Sequence, residues 1–149
     1  MKDDNQIQAV DNLLHQLLWG LHLKRLDAWT PELESIGALG LHVLKLAGEK
    51  EDIILGEIRE ILAVPHSTLT SIINRLEGRN LLERTVSRRD RRSFGLALTD
   101  EGRRVQCDHD RLDRELALTM LSALDTDDER DTFVTLIEKM SRHLARTDI

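Results

Sequence analysis

Hydrophobic positions between residues 54 and 104 follow helical and then extended spacing. A helical pattern occupies residues 54–62 and is broken at Ala63-Val64-Pro65. A second helix is predicted over residues 66–79, because its apolar side chains recur at i, i+3, i+4 and i+7: Leu69, Ile72, Ile73 and Leu76. Two extended runs, residues 81–86 and 93–98, flank an arginine-dense turn, and Thr99 then begins another helix. This order predicts a mainly α chain with a winged helix-turn-helix, whose wing is a two-stranded ribbon.

Further helices are predicted on both sides of this region, over residues 5–27, 33–47, 99–123 and 126–144. The first carries an apolar stripe that is wide enough to contact a second chain as well as the rest of its own domain. The last carries apolar side chains at helical spacing from Phe133 to Leu144. A symmetric dimer would bury these surfaces.

Local signals refine these helices. Thr126 and Glu129 have the spacing of a capping box, which begins the last helix. Gly37 and Gly40 fall inside the second helix, where glycine costs up to about 1 kcal/mol relative to alanine. Glycines three residues apart could allow close packing of helices, but we favour the interpretation that both are simply tolerated helix positions.

Length and cysteine content limit the class of protein. A chain of 149 residues can bury a core without covalent cross-links, and its single cysteine excludes an internal disulfide framework. No apolar run approaches the roughly 18 residues of a membrane span, and the first residues are polar and acidic. We therefore expect a cytoplasmic protein without membrane contact.

The distribution of charge favours a nucleic-acid partner, although the net charge is −6. Residues 66–92 contain seven arginines against three acidic residues, a local charge of +4 that leaves −10 for the rest of the chain. Clustered positive charge is what attracts DNA. The acidic remainder is expected to face away from the duplex.

Side-chain chemistry divides this basic region into two candidate contacts. Short polar side chains and one arginine lie on the outer faces of the second helix of the pair, which suits a DNA major groove: Ser67, Thr68, Thr70, Ser71, Asn74 and Arg75. The turn between the two extended runs suits the backbone and the minor groove, whose negative potential attracts arginine: Arg88, Arg89, Arg91 and Arg92.

Five short motifs follow one another between residues 67 and 102. They are Ser67-Thr68-Leu69-Thr70, Arg75-Leu76-Glu77, Leu81-Leu82-Glu83-Arg84, Asp90-Arg91-Arg92-Ser93 and Leu98-Thr99-Asp100-Glu101-Gly102. In order and spacing they resemble the DNA-binding domain of the MarR family of bacterial and archaeal transcriptional regulators. One departure is Asn80, where the family usually has glycine. Asparagine tolerates left-handed backbone, so we expect the turn to form.

The resemblance implies a single MarR-like domain over residues 1–149, with a DNA-binding region at 33–104 and dimerisation helices at 5–30 and 105–146. It also implies a homodimer that binds a near-palindromic operator in double-stranded DNA, usually as a repressor released by a small-molecule effector. In the family pattern an aspartate, here Asp90, orients an arginine, here Arg92, that enters the minor groove.

An aromatic or anionic effector is the family expectation, bound between the dimerisation region and the winged region. The polar and aromatic residues that could line its pocket are Trp19, His22, Trp29 and His42. For Trp19, burial in the core is the simpler interpretation.

Other functions remain open at this stage. Cys107 allows a redox-responsive regulator, although a buried packing thiol is the simpler interpretation. The six histidines, among them His15 and His109, allow a metal-responsive one, but no pair has zinc-finger spacing. A winged-helix protein-interaction module is a further alternative. No phosphate-binding loop or nucleophile elbow is present, so we expect neither enzymatic activity nor a cofactor or bound metal.

Overall fold

The structure is a computed structural model that describes residues 2–147, apart from the side chains of residues 2, 3 and 26. Its elements are α1 (Lys2–Ala28), α2 (Pro31–Glu49), β1 (Ile53–Ile54), α3 (Leu55–Leu62), α4 (His66–Gly78), β2 (Leu82–Val86), β3 (Phe94–Leu98), α5 (Asp100–Leu121) and α6 (Asp127–Leu144). The predicted mainly α fold with a winged helix-turn-helix is confirmed. Backbone contacts divide the chain into two compact units, of which the first ends at Leu112 and the second begins at Asp113. The single domain expected over residues 1–149 stays a prediction.

The wing belongs to a three-stranded antiparallel sheet with strand order β1-β3-β2. The predicted two-stranded ribbon was therefore incomplete, and Ile54 was wrongly assigned to the first helix of the pair. Ile53 and Ile54 pair with Leu96 and Gly95 of β3, and Ile53 is fully buried. Two β-branched residues favour a strand, but two residues are too short a run to show a period.

The core lies between α2, α4 and the sheet. All four apolar positions predicted for one face of α4 are buried: Leu69, Ile72, Ile73 and Leu76. They pack with buried residues of α2, the strands, the turn before β2 and α5: Leu33, Ile36, Leu41, Val43, Leu44, Ile53, Leu81, Leu82, Leu96, Leu98 and Val105. Burying this face of α4 turns its polar side chains outward.

The turn from α4 into β2 passes through Asn80, whose φ of 57° lies in the left-handed region. The Asn80 amide donates to the Glu77 carbonyl at 2.9 Å, and the Leu81 amide donates to the Leu76 carbonyl at 3.0 Å. These bonds satisfy carbonyl groups that the end of a helix leaves without intrahelical donors. The expectation that asparagine can replace glycine in this turn is confirmed.

A kink interrupts α2 at Gly37, with φ 77° and ψ 159°. This region of backbone conformation is open essentially to glycine alone. The neighbouring Ile36 carbonyl accepts a hydrogen bond from Nη2 of Arg75 in α4, at 3.0 Å. Our interpretation of Gly37 as a tolerated helix position was therefore wrong, because the chain uses glycine there to break the helix.

The terminal helices carry much exposed apolar surface. On α1, the side chains of six residues are 45–67% exposed: Ile7, Val10, Leu13, Leu14, Leu17 and Leu18. Trp19 is 62% exposed, so its interpretation as a core residue was wrong. On α6, which starts at the predicted capping box of Thr126 and Glu129, five more apolar side chains are 40–57% exposed: Val134, Leu136, Ile137, Met140 and Leu144. Among the described residues, no helix combines the length and the apolar character needed to span a lipid bilayer.

Candidate nucleic-acid interface

The outer face of α4 presents short hydrogen-bonding groups to solvent. Ser67, Thr68 and Ser71 are exposed, and Thr70 is half-buried. The Thr70 hydroxyl lies 3.5 Å from Nε2 of His66, one turn earlier. Hydroxyl groups both donate and accept hydrogen bonds, so this face can pair with base edges or phosphates.

Asn74 is held by an arginine from the wing. Nη2 of Arg84 in β2 donates to Oδ1 of Asn74 at 2.6 Å, and Nη1 forms an ion pair with Glu77. Because arginine only donates, the Asn74 carbonyl must face Arg84, which leaves the amide NH2 group for an outside acceptor. Sequence reasoning counted Arg84 as positive charge and missed this positioning contact, which links residues ten positions apart.

Arg75 is exposed but already bound to α2. One of its five N–H groups donates to the Ile36 carbonyl beside the kink. The guanidinium therefore ties α4 to the break in α2, and the remaining donors can reach outward.

The tip of the wing is a turn built around Asp90. Its Oδ1 accepts from the Arg92 backbone amide at 3.0 Å, and its Oδ2 accepts from the Ser93 hydroxyl at 2.8 Å. The hydrogen bond from Arg92, with that from Ser93, lowers the pKa of Asp90, so it is ionised at neutral pH. Asp90 thus contacts the backbone amide of Arg92 in this structure, and its role in orienting the Arg92 side chain stays a prediction.

The base of the wing closes on Asp52, which precedes β1. Oδ2 of Asp52 accepts from the Ser87 hydroxyl at 2.9 Å, the Arg88 amide at 2.9 Å and the Arg89 amide at 3.3 Å. Burial raises the pKa of Asp52, but these hydrogen bonds outweigh it and the net shift is downward. Ser87 is only 1% exposed.

Arg89 forms a two-pronged contact with Glu57 in the first turn of α3. Nη1 donates to Oε1 at 3.1 Å and Nη2 donates to Oε2 at 2.7 Å. The hydrogen bond from Arg89 is the main reason that the pKa of Glu57 falls to about 2. Sequence reasoning missed Asp52 and Glu57. The spacing from Ile54 to Glu57 fits the start of a helix, but no local pattern connects either acid to the wing.

The four wing arginines are thus in different states. Arg89 is paired, and Arg88 makes a 3.4 Å ion pair with Glu51 in which both side chains are 85% exposed, a weak contact. Within residues 2–147, neither Arg91 nor Arg92 forms an ion pair, and both are exposed. These two carry the positive charge most available to an outside anion.

The four candidate effector residues occupy separate environments. The rings of Trp19 and His22 have centroids 5.5 Å apart and are tilted by 32° to each other, and Trp19 borders an open depression of about 500 Å³ along α1. Trp29 is partly buried, with the Arg25 guanidinium 4.0 Å from its ring centroid and the His109 ring at 6.0 Å. His42 is exposed on α2, where Nδ1 lies 3.1 Å from the Ala38 carbonyl.

Two of these contacts were missed from the sequence. Arg25 lies four residues before Trp29 and His109 lies eighty residues after it, and His109 is buried. Cys107, on α5, is exposed, so the favoured interpretation of a buried packing thiol was wrong.

The winged region is also the part of the chain that is similar in sequence to known proteins. Residues 39–94 match the sequence model of the MarR family. The chain is 37% identical over 71 residues to the HTH-type transcriptional repressor MdtR of Bacillus subtilis (strain 168). That match spans 48% of this chain and 46% of MdtR, so just under half of the relative's length is matched.

Comparison with solved structures extends the likeness to most of the fold. FabT of Streptococcus pneumoniae, solved in complex with DNA, has a TM-score of 0.80 at 20% identity, covering 93% of this chain and 96% of FabT. PcaV of Streptomyces coelicolor, solved with its natural ligand, has a TM-score of 0.67 at 24% identity, covering 87% and 89%. At such identities these likenesses concern the fold. Residues 39–94 of this chain are therefore similar in sequence to the MarR family of transcriptional regulators, and the winged-helix fold that these solved structures share extends over most of the chain.

Proposed function

We propose that this protein is a dimeric, sequence-specific regulator of transcription that binds double-stranded DNA and represses until an effector releases it. The observation that carries the proposal is the wing tip, where Arg91 and Arg92 are exposed and form no ion pair within residues 2–147, together with a polar face of α4 that is turned outward. A charged turn next to a helix that fits the major groove is what DNA binding by this fold requires. MdtR is itself named a repressor, and FabT was solved on DNA.

In the proposed complex, α4 enters the major groove and the wing lies on the flanking backbone and minor groove. Ser67, Thr68, Thr70, Ser71 and Asn74 supply hydrogen-bonding groups, with Arg75 at the edge of the helix. Arg88, Arg91 and Arg92 supply positive charge to the backbone and minor groove.

The test is fluorescence anisotropy with duplex DNA from the region upstream of the protein's own gene, at two salt concentrations. A scrambled duplex of equal length is the control. We expect roughly 10³-fold or greater preference for the native duplex and affinity that falls steeply as salt rises. Equal and salt-independent binding of both duplexes would favour the rival function, a winged-helix module for protein contacts.

Dimerisation is proposed because the exposed apolar side chains of α1 and α6 exceed what isolated surface residues account for. A two-fold dimer would bury them and present two copies of α4 to a near-palindromic operator. Sedimentation equilibrium at micromolar concentration should give twice the chain mass of 17.1 kDa. A single 17.1 kDa species there would contradict the dimer.

Release by a small molecule is the final part of the proposal. PcaV was solved with a natural ligand, and the present chain offers two aromatic sites, Trp19 with His22 and Trp29 with Arg25. The second combines a partly buried ring with a cation, a pairing that suits an aromatic anion. An effector must bind the DNA-competent and incompetent conformers unequally. A candidate that quenches tryptophan fluorescence without lowering operator affinity in the anisotropy assay would contradict this role.

A further inference from the structure

We infer that Asp52 and Glu57 form an internal carboxylate clamp that fixes the wing before DNA binds, and that Arg89 is a positioning residue of the wing. The inference deepens the proposed function, and its effect on affinity rests on that function. It also revises the sequence-based interpretation, which placed Arg89 among the residues that grip DNA.

The first half of the clamp is Asp52. Two consecutive backbone amides, those of Arg88 and Arg89, point at one of its carboxylate oxygens, and the Ser87 hydroxyl joins them. Consecutive amides arranged in this way form the concave site that proteins use to hold anions. Here the anion is a side chain of the same protein, so the site is filled from within.

Ser87 closes the same loop from the other side. Its hydroxyl oxygen accepts from the amides of Arg89 and Asp90, both at 3.2 Å, while its hydrogen goes to Asp52. The three successive amides of residues 88–90 therefore all have acceptors inside the protein. Backbone groups satisfied in this way hold the turn in one shape.

The second half of the clamp is Glu57. It is fixed at the start of α3, where Oε2 accepts from the Ile54 amide at 3.0 Å. Its two carboxylate oxygens accept hydrogen bonds from Nη1 and Nη2 of Arg89, and Nη2 also donates to the Asp52 carbonyl at 2.8 Å. A two-pronged contact between guanidinium and carboxylate is among the stronger and more directional ion pairs. While it persists, these donors are unavailable to a phosphate.

The sequence makes room for the clamp at Gly95 of β3. A Cβ built at this position would lie 2.6 Å from Oδ1 of Asp52 and 3.1 Å from the Thr85 hydroxyl. Asp52 itself has φ 56°, a left-handed conformation that aspartate adopts more readily than most residues. Both positions are adapted to bring this carboxylate against the wing.

The direction in which one substitution changes DNA affinity distinguishes a clamp from simple electrostatics. Replacing Glu57 with glutamine removes a negative charge from the winged region, and that change alone should strengthen binding to DNA. If Glu57 instead holds the wing through Arg89, Glu57→Gln weakens binding. We expect operator affinity to fall by about 3- to 10-fold, since ordering the wing must then occur on binding.

Glu60→Gln is the matched control. Glu60 lies on α3, is exposed, and makes no hydrogen bond or ion pair among the described residues. The same loss of charge there should leave operator affinity equal or slightly higher. Both variants are compared with the wild-type protein by anisotropy in one buffer.

Amide hydrogen exchange in the DNA-free protein supplies a readout independent of DNA. Glu57→Gln should speed exchange at Arg88, Arg89 and Asp90, and Glu60→Gln should not. If exchange at these amides is unchanged in Glu57→Gln, the clamp is overturned, whatever the DNA affinity of the variant. If exchange is faster but DNA affinity is undiminished, the role of the clamp in binding is overturned. If the wild-type protein shows no operator preference, the proposed function fails while the exchange rates still decide whether the clamp exists.

Discussion

Arg92→Ala is expected to lower operator affinity about tenfold and to make the fall of log K with log salt shallower by about 0.9. The physical reason is that Arg92 is exposed at the tip of the wing and, in the described chain, its guanidinium has no acidic partner. Asp90 fixes the backbone of Arg92, so little conformational entropy is lost when Arg92 binds a minor groove or a phosphate. Anisotropy titrations at four or more salt concentrations would measure both quantities.

Arg142→Ala provides the control for this experiment. Arg142 lies on α6, about fifty residues after Arg92 in the sequence, and is paired with Glu138 at 3.7 Å. Its replacement by alanine changes the net charge by the same amount as Arg92→Ala. Its salt slope should match that of the wild type. An Arg92→Ala variant that binds with wild-type affinity and slope would remove the wing from the mechanism and leave α4 as the main contact.

Gly102→Ala is expected to lower the free energy of unfolding by about 3 kcal/mol or more, and the melting temperature by roughly 10 °C. Gly102 is buried in the first turn of α5, where a Cβ would stand 1.7 Å from the Leu81 carbonyl oxygen and 2.8 Å from its carbon. Both atoms are backbone, so no side-chain rotation relieves the overlap. The start of α5 must move away from Leu81, which itself is buried in the core.

Gly56→Ala is the comparison for Gly102→Ala. Gly56 lies in α3, and a Cβ there meets no atom within 4 Å. Alanine favours helix over glycine by up to about 1 kcal/mol, so stability should be kept or slightly raised. Thermal unfolding followed by circular dichroism compares the two variants directly. Equal melting temperatures for both would show that the junction of Leu81 and Gly102 is looser than the structure describes.

Periodicity was sufficient to identify the helices and the winged region. Leu69, Ile72, Ile73 and Leu76 share a buried face because helical spacing leaves one way to bury them together. The left-handed turn at Asn80 was also predictable, because few residues adopt that conformation readily.

What escaped prediction depends on contacts between distant residues. Strand β1 is two residues long and exists because Leu96 and Gly95 offer it partners. Beside the kink at Gly37, the Ile36 carbonyl accepts a hydrogen bond from Arg75, 39 residues after Ile36, and glycine alone does not distinguish a helix break from a tolerated helix position. Arginine clustering indicated where the wing lies. The acidic residues that bind Arg89, and so distinguish it from Arg91 and Arg92, lie more than thirty positions earlier in the chain.

The close approach of Asp52 to Gly95 has an evolutionary consequence. As long as Asp52 holds the wing amides, any side chain at position 95 must displace a carboxylate that has three hydrogen bonds to lose. If alanine replaces Gly95 first, the hydrogen bonds that hold the wing are weakened. If Asp52 is replaced first, position 95 can then accept other side chains. Substitution at one of these positions thus sets which substitutions the other can accept, and related chains should inherit the two residues as a pair.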